Sequence, residues 1–402
     1  MKILIADKFE AQGVDELRRL ASEVHVEPDK KGPALLARVA ELDPNVLIVR
    51  STKVGGDVMS AGKHMRMIIR AGSGYDTIDL KAASERGIFV TNCPGQNAEA
   101  VAELTMGLLV ALDRRIPDNV IDIRSGRWNK AAYGAAGRGL KGRTLGIIGA
   151  GRIGTEVARR ASAFEMTVLY SHLGRSRRLA DFANCRRTEI SELLRESDAI
   201  TIHVPGGDDT KSLIDDKALR MMKPTALLIN TSRAGVVDEA ALAVALREGR
   251  LRGAALDVFA GEPAGGSGEV TTPLADVPNL YVTHHIGAST EQAQLAVAHE
   301  VVKIVTEYKN SGKVRNCVNL SAAPASHLLV VRLVNKPGGL AHVFNHIAVA
   351  GINVEEVDHV IYDGGKAACA HIRLGGRPSD AVINSIRTGH PNVIGVEVTK
   401  VE

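Results

Sequence analysis

The chain has 402 residues, of which 45% are hydrophobic and 24% charged, and its 50 basic and 46 acidic residues leave a formal net charge of +4. This length predicts two to three domains, and the small net charge without basic runs among aromatic residues argues against a nucleic-acid partner. No apolar run is long enough for a signal peptide or a membrane span, so we expect a cytoplasmic protein without membrane contact. The cysteines are scattered without metal-like spacing, which predicts reduced thiols and no metal site.

Strand-like and helix-like segments alternate through the first hundred residues. Runs such as KILIAD (2–7), VLIVRS (46–51) and IFVTN (88–92) have the apolar, β-branched composition of buried strands. The alternation predicts an α/β fold whose first domain, residues 1–98, is a flavodoxin-like, doubly wound parallel sheet. A long helical segment within residues 291–320 would return the chain to this domain and complete it.

A predicted strand, a glycine turn and a helix follow one another after residue 143. The strand TLGII precedes Gly149, Gly151 and Gly154, the glycines of a GxGxxG turn, and a second strand follows the helix. In this βαβ context, Gly149 allows the tight turn, Gly151 allows a pyrophosphate to approach the backbone, and Gly154 allows the helix to pack on the strand. The motif predicts a Rossmann dinucleotide-binding domain over residues 99–290. Asp238 is the predicted N-cap of a helix that ends near Gly249.

The last part of the chain has a different pattern. After the linker-like segment NLSAAPA (319–325), residues 327–402 read as strand, helix, two strands, helix and strand. This βαββαβ order is typical of the ferredoxin-like fold. A small appended domain of this kind binds a ligand or mediates subunit assembly.

Four polar residues follow predicted strands of the second domain, where each strand ends. Arg233 comes after LLINTS, Asp257 ends GAALD, Glu262 lies five residues further on, and His285 ends LYVTHH. Ligands of doubly wound sheets bind outside the carboxyl ends of the strands, so we expect these side chains to meet beside the glycine turn. A histidine exchanges a hydroxyl proton near neutral pH, a carboxylate orients it, and an arginine holds a substrate carboxylate. The set suits hydride transfer between a nicotinamide and a small anionic 2-hydroxy or 2-oxo acid.

The sequence resembles the D-isomer-specific 2-hydroxyacid dehydrogenases, and among them the members that end in an ACT domain. The resemblance covers essentially the whole chain and is most specific in RSTKV (50–54), RAGSGYDTID (70–79), LGIIGAGRIG (145–154), NTSRAGVVDEAAL with GAALDVFAGEP (230–242 and 253–263) and HHIGASTEQAQ (284–294). It implies that the first domain binds substrate, that the second binds NAD or NADP, and that the βαββαβ unit is an ACT domain. Members of the family also lead us to expect a homodimer or homotetramer.

The resemblance assigns roles to individual residues. It implies that His285 is the general acid/base, that Glu262 is its hydrogen-bonded partner, and that Arg233 binds and orients the substrate. Backbone N–H groups of Ser73 and Gly74 would meet the substrate carboxylate or the cofactor. The candidates for a substrate phosphate, each of which could instead be a surface charge, are Arg50, Lys53 and Arg70. The implied cofactor-binding residues are Gly149, Gly151, Arg152, Ile153, Gly154, Thr231, Ser232, Asp257, Ile286, Gly287 and Ala288.

Two positions depart from the family pattern. Where NAD-dependent members carry an acidic residue after the second strand, this chain has His172, with Arg175 close by, which favours the 2′-phosphate of NADP. The alternative is that the arginine is solvated and NAD binds through weaker contacts. In the ACT segment, Asn335 and Asn353 match asparagines of relatives that bind an amino-acid effector, but Leu333 replaces a histidine. An effector site and a purely assembling domain therefore both stay open.

The activity that the resemblance implies is NAD(P)-dependent oxidation of D-3-phosphoglycerate to 3-phosphohydroxypyruvate, the entry to serine biosynthesis. A second candidate of the same class is NADPH-dependent reduction of glyoxylate or hydroxypyruvate. A candidate of another class is a nucleotide-sensing regulatory protein that has lost the reaction.

Overall fold

A computed structural model describes residues 1–171, 179, 182, 184–263, 268, 269, 272–321 and 325–401. The chain divides into two units, Met1–Asn319 and Leu320–Glu402, and the boundary falls at the start of the predicted linker. In the described part of the chain, no helix is both long enough and apolar enough to cross a membrane.

Residues 1–98, all of them described, contain a five-stranded parallel sheet in the order β2-β1-β3-β4-β5. Its strands are β1 (Lys2–Ile5), β2 (Glu23–Val26), β3 (Val46–Val49), β4 (Met67–Arg70) and β5 (Phe89–Asn92), and its helices are α1 (Ala11–Leu20), α2 (Pro33–Leu42), α3 (Gly56–Ala61) and α4 (Leu80–Glu85). Helices α2 to α4 cover one face, and α1 covers the other together with the later helix Glu291–Ser311. The central strands are apolar and buried on both faces, because helices exclude water from each side. The flavodoxin-like prediction is confirmed.

The second sheet of the first unit has seven described strands, all parallel, in the order β12-β11-β10-β9-β6-β7-β8. The strands are β6 (Thr144–Ile148), β7 (Thr167–Ser171), β8 (Cys185–Arg187), β9 (Ala199–Ile202), β10 (Leu227–Asn230), β11 (Gly253–Leu256) and β12 (Leu280–Val282). The helices from this region onward are α5 (Ala98–Arg114), α6 (Ile116–Arg124), α7 (Lys130–Ala136), α8 (Arg152–Ala163), α9 (Ile190–Glu196), α10 (Asp216–Met221), α11 (Glu239–Arg247) and α12 (Glu291–Ser311). The strand order reverses between β6 and β9, which is where doubly wound sheets bind their ligands. The Rossmann prediction is confirmed.

Helix α11 shows how local sequence sets a helix boundary in this sheet. Oδ1 of Asp238 accepts a hydrogen bond of 3.0 Å from the N–H of Ala241, which satisfies a donor of the first turn. Past the last turn, Gly249 adopts a φ of 67°, a left-handed conformation that ends the helix at little steric cost. Both ends agree with the prediction.

The second unit is an antiparallel sheet of four described strands with two helices, in the order β14-β15-β13-β16. Its elements are β13 (His327–Val334), α13 (Gly339–Val349), β14 (Val354–Ile361), β15 (Ala367–Leu374), α14 (Asp380–Thr388) and β16 (Val393–Lys400). Alternate residues of β13, among them Leu329 and Val331, are buried with Val343, Ile347 and Ile386 of the helices. The period of two therefore places one sheet face in the core, and the βαββαβ prediction is confirmed.

Candidate active site

The turn between β6 and α8 has the geometry of a dinucleotide-binding turn. Gly149 adopts a φ of 102°, and a Cβ placed on it would lie 2.4 Å from the carbonyl oxygen of His203. A Cβ on Gly154 would lie 2.2 Å from the carbonyl oxygen of Gly149, whereas a Cβ on Gly151 would meet no atom within 4 Å. The first and third glycines are thus required by packing, while the second leaves open space at the N-terminus of α8. That space and the orphan N–H groups of the helix fit a pyrophosphate.

Glu262 and His285 form a hydrogen-bonded pair. Nδ1 of His285 lies 2.7 Å from Oε2 of Glu262, and Oε1 of Glu262 accepts a 3.0 Å hydrogen bond from the N–H of Phe259. With Nδ1–H donating to the carboxylate, Nε2 is left to exchange a proton with a substrate, and no described residue forms a hydrogen bond with it. The pair is the arrangement of a general acid/base with an orienting carboxylate.

Burial and hydrogen bonding have opposite effects on the pKa of Glu262. Burial alone would raise the pKa of Glu262, but the hydrogen bonds from His285 and from the N–H of Phe259, together with the charges of His285 and Arg233, lower it below its usual range. Glu262 is therefore ionised at neutral pH. The carboxylate is available there to stabilise a protonated imidazole.

Asp257 holds the loop that carries His285. Its buried carboxylate accepts hydrogen bonds from the hydroxyl of Thr283 at 2.6 Å and from the N–H groups of Ile286 and Gly287 at 2.9 and 2.8 Å. His285 adopts a φ of 52°, which is uncommon for a residue with a side chain and is retained here because these bonds fix both sides of it. The strand LYVTHH therefore ends earlier than predicted, at Val282, and Asp257 shapes the loop in addition to the cofactor contact that remains a prediction.

Arg233 leaves the end of β10 in a turn that a buried asparagine organises. The side chain of Asn230 accepts from the N–H and hydroxyl of Ser232 at 3.0 and 2.7 Å and donates to the carbonyl oxygen of Arg233 at 2.9 Å. The hydroxyl of Thr231 lies 3.0 Å from that of Thr105 on α5. The guanidinium of Arg233 donates from Nη1 to the carbonyl oxygen of Ser232 and from Nε to Oδ2 of Asp76, both at 2.8 Å.

Three arginines concentrate positive charge beside the acid/base pair. Burial, followed by the charges of Arg233 and Arg50, lowers the pKa of Arg70 to about 10. Nε of Arg70 is buried and has no hydrogen-bond partner among the described residues. Repulsion among these cations and an unpaired buried donor both cost free energy, and an anion placed among them would recover it.

A cavity of about 690 Å³ is lined by Arg50, Arg70 and the acid/base pair, whereas Arg233, Ser73 and Gly74 are not among its described lining residues. The described residues that line it are Lys8, Phe9, Glu10, Arg50, Ser51, Arg70, Ala71, Gly72, Asn97, Phe259, Glu262, Pro263, Gly268, His284, His285, Ala288, Ser289, Ala293, Gln294 and Val297. Nη1 of Arg50 donates to the side-chain oxygen of Gln294 at 3.1 Å. Lys53 is exposed and does not belong to this lining, whereas Lys8, which the sequence analysis missed, does.

The loop after β4 presents two free backbone donors. The N–H groups of Ser73 and Gly74 donate to no residue that the structure describes. The hydroxyl of Ser73 donates to the side chain of Asn97 at 2.6 Å, and the side chain of Asn92 donates to the carbonyl oxygen of Ser73, also at 2.6 Å. The loop is therefore held by its neighbours while its amides stay available to a ligand.

Other predicted site residues contact neighbours within the protein, and their ligand contacts stay predictions, or they lie outside the described residues. Ile153 packs against the core of the second sheet, and the guanidinium of Arg152 donates to the carbonyl oxygen of Pro94. His172 and Arg175 are outside the described residues. In the second unit, Asn335 donates to the carbonyl oxygen of Gly365 at 2.8 Å and Asn353 donates to Glu355 at 3.0 Å. Among the described residues, no group of three or more potential metal ligands is suitably arranged.

Asp7 is a further residue that the sequence analysis missed. It lies two residues after the end of β1, and its Oδ2 accepts from the N–H groups of Arg50, Ser51 and Thr52 at 2.7, 3.0 and 3.0 Å. These bonds fix the turn that carries Arg50 into the cavity. The rule that singled out polar residues at strand ends in the second sheet would have found Asp7 if applied to the first.

A dinucleotide turn and an acid/base pair at one edge of a Rossmann sheet define a nicotinamide-dependent oxidoreductase class. The family model "D-isomer specific 2-hydroxyacid dehydrogenase, NAD binding domain" matches residues 106–287. The D-3-phosphoglycerate dehydrogenase of Archaeoglobus fulgidus is 36% identical over 85% of this chain and 64% of its own length, and the glyoxylate reductase of Thermococcus litoralis is 36% identical over 81% and 98%. The solved D-lactate dehydrogenase from Aquifex aeolicus, complexed with NAD and lactic acid, has a TM-score of 0.68 and 27% identity, covering 80% of this chain and all of that one.

The chain therefore belongs to the D-isomer-specific 2-hydroxyacid dehydrogenase family and contains its NAD-binding domain. It spans 56% to 64% of the length of the first three curated relatives that it matches, each a D-3-phosphoglycerate dehydrogenase.

We predict that His285→Ala raises the pKa of Glu262 relative to the intact chain, because the favourable partner is lost while burial persists. The pair stabilises the fold above the ordinary pKa of a glutamate, and that contribution is lost as the pH falls through the lowered pKa. A ¹³C NMR titration of the Glu262 carboxyl measures the change. His64→Ala, at a surface histidine paired with Asp43, is the matched control and should leave the titration unaltered; equal shifts in both variants would contradict the assignment.

Proposed function

We propose that the protein oxidises D-3-phosphoglycerate to 3-phosphohydroxypyruvate with NAD or NADP. The observation that carries the proposal is the ionised Glu262 bonded to His285 in a cavity lined by Arg50 and Arg70. The phosphoglycerate dehydrogenases among the relatives support the substrate, and the ACT-like unit at the C-terminus supports the same branch of the family. A 690 Å³ cavity with several cations suits a small phosphorylated acid better than an uncharged substrate.

Each residue of the candidate site has a defined role in the proposed oxidation. The open space at Gly151 and the N-terminus of α8 would hold the pyrophosphate, and a bound nicotinamide would accept the hydride from C2 of the hydroxy acid. Nε2 of His285 takes the proton of the C2 hydroxyl, and Glu262 stabilises the imidazolium that forms. The amides of Ser73 and Gly74 and the free Nη2 of Arg233 hold the substrate carboxylate.

The phosphate end of the substrate is assigned to the cationic side of the cavity. Lys8, Arg50 and Arg70 line it, and the side chain of Arg50 is held by Gln294. The predicted phosphate ligand Lys53 is exposed away from this lining, so Lys8 takes its place in the proposal. A dianion calls for clustered cations, which this side of the cavity supplies.

NADPH-dependent reduction of glyoxylate or hydroxypyruvate is the second candidate. The chain covers 98% of the glyoxylate reductase of Thermococcus litoralis, and the segment after β7 carries no acidic residue at the place that NAD-dependent members use. This candidate needs no phosphate site, so it leaves Lys8 and Arg70 without a role.

Turnover assays of D-3-phosphoglycerate and D-glycerate with NAD and NADP, and of glyoxylate and hydroxypyruvate with NADH and NADPH, separate the candidates. We expect D-3-phosphoglycerate to be the best substrate and His285→Ala to lower kcat about a hundredfold or more with unchanged cofactor binding, because only the proton exchange is lost. His64→Ala, at a surface histidine that pairs with Asp43 and does not line the cavity, is the control. Preference for glyoxylate would support the reductase, and cofactor binding without any turnover would support a nucleotide-sensing protein.

The cofactor prediction rests on Arg175. If this arginine contacts the 2′-phosphate, Arg175→Ala should weaken binding of NADPH by tenfold or so and leave NADH nearly unaffected, because a charge-assisted bond to phosphate is lost. Fluorescence titration with both cofactors measures the ratio, and Arg186→Ala, whose guanidinium pairs with Glu192 and Glu196, is the control. Equal weakening of both cofactors would remove Arg175 from cofactor selection.

We propose a homodimer or homotetramer in which α6 contacts a second copy. Five apolar side chains on and after this helix are 43% to 79% exposed, and a partner that covered them would remove them from water: Ile116, Val120, Ile121, Ile123 and Trp128. The C-terminal unit would either add a second contact or bind an amino-acid effector; inhibition of turnover by serine would support the effector.

Light scattering should give two or four times the chain mass of 42.7 kDa. A Val120→Glu/Ile123→Glu variant should dissociate and shift the emission of Trp128, the single tryptophan, to longer wavelength, because the indole then faces water. Phe164→Glu, at a similarly exposed apolar residue that directly follows α8, is the control. An intact chain that stays monomeric at micromolar concentration contradicts the proposal.

A further inference from the structure

The guanidinium of Arg233 is bound on two of its three nitrogens. Nη1 donates to the carbonyl oxygen of Ser232, and Nε donates to Oδ2 of Asp76, each at 2.8 Å. Nη2 has no hydrogen-bond partner among the described residues and lies beside Gly74, 1.8 Å from where a Cβ would stand. These two bonds fix the plane of the guanidinium and, with it, the position of the free Nη2 donor.

The two bonds to Arg233 come from different sheets. Ser232 belongs to the turn after β10 in the second sheet, whereas Asp76 lies in the loop after β4 in the first sheet. The Asp76 contact therefore joins residues 157 positions apart in sequence. The direction of the Arg233 fork depends on the loop after β4 being in place.

Glycines allow the backbone of the first sheet to approach the arginines of the second. Gly74 leaves room for Nη2 of Arg233, and a Cβ on Gly95 would lie 2.2 Å from Cδ of Arg152, whose guanidinium donates to the carbonyl oxygen of Pro94. A side chain at either glycine would displace the arginine from its present position. The sequence therefore has a glycine at each of the two places where an arginine of the second sheet packs against the backbone of the first.

We propose that Asp76 is a positioning residue that orients Arg233 toward the substrate carboxylate from the opposite sheet. The ion pair leaves Nη2 without a partner beside Gly74, whose N–H, like that of Ser73, donates to no described residue. Arginine side chains lose substantial rotamer entropy when they bind a ligand, and a fork that is already held on Nε loses less. The carboxylate of Asp76 is more than half exposed, so water screens its negative charge. The hydrogen bond that it accepts from Nε therefore orients Arg233 more than its charge does.

A double-mutant cycle in the full chain tests this role. Asp76→Ala and Arg233→Ala are measured singly and together for kcat/KM with the best substrate and for calorimetric binding of oxalate, a planar dianion resembling a 2-oxo acid. We expect Asp76→Ala to reduce both quantities about ten- to a hundredfold, and to have no further effect when Arg233 is already absent. Asp76→Asn retains an oxygen that accepts from Nε, and it should recover most of the loss.

Asp216→Ala is the matched control, because Asp216 accepts from Nε of Arg220 at 2.7 Å on the surface, away from the cavity. It should change neither quantity. Additive effects of the two substitutions, or an Asp76→Asn variant as impaired as Asp76→Ala, would overturn the role of Asp76. Tighter oxalate binding in both Asp76 variants would also overturn it, because a charge effect alone predicts that result.

The measurement of kcat/KM rests on the proposed function, but the measurement of oxalate binding does not. If the intact chain binds oxalate yet turns over none of the substrates, the proposed function fails while the binding cycle still decides the role of Asp76. If the intact chain does not bind oxalate, Nη2 of Arg233 is not an anion donor and the inference is wrong, whatever the turnover assay shows.

Discussion

The hydrogen bond between His285 and Glu262 is the interaction on which the site depends, and most of the surrounding structure serves to hold it. His285 sits at a φ of 52° in a loop whose neighbouring N–H groups are bound to Asp257, and Asp257 is buried at the end of β11. Glu262 is fixed from its other oxygen by the N–H of Phe259. A backbone conformation that is unfavourable for an isolated residue is thus maintained by satisfied buried groups, and the imidazole keeps one nitrogen bonded and the other free.

Electrostatics divides the site into two ends. At one end a carboxylate whose pKa is lowered faces a histidine; at the other, burial and then the positive charges of Arg233 and Arg50 lower the pKa of Arg70. Asp76 partly balances this positive charge by pairing with Arg233. Asp7 accepts hydrogen bonds from the backbone of the turn that carries Arg50. Under the proposed function, a phosphorylated 2-hydroxy acid would bridge the two ends, with its carbon C2 near the histidine and its charged groups among the guanidiniums.

The sequence predicted the three-part fold, because strands, glycine turns and helix caps are recorded in local periodicity and composition. It also predicted which side chains leave the strand ends of the second sheet, since parallel strands direct them to one edge. The contents of the cavity were predicted less well. Lys53 was favoured from its motif but is exposed, and Lys8, Asp7 and Asp76 were missed, because a loop residue's direction depends on backbone torsions that motif spacing does not encode.

By itself, then, the amino-acid sequence determined the α/β architecture, the dinucleotide turn and the chemical types available at the edge of the second sheet. Only the tertiary structure decided the geometry of the site. His285 lies 2.7 Å from Glu262, and Asp257 holds the loop that carries His285. Asp76 contacts Arg233, which is 157 residues away in sequence. The reason is physical: burial patterns and backbone preferences act within a few residues. The meeting of two loops depends on how closely two packed sheets approach, and glycines at the contact permit that approach without specifying what it brings together.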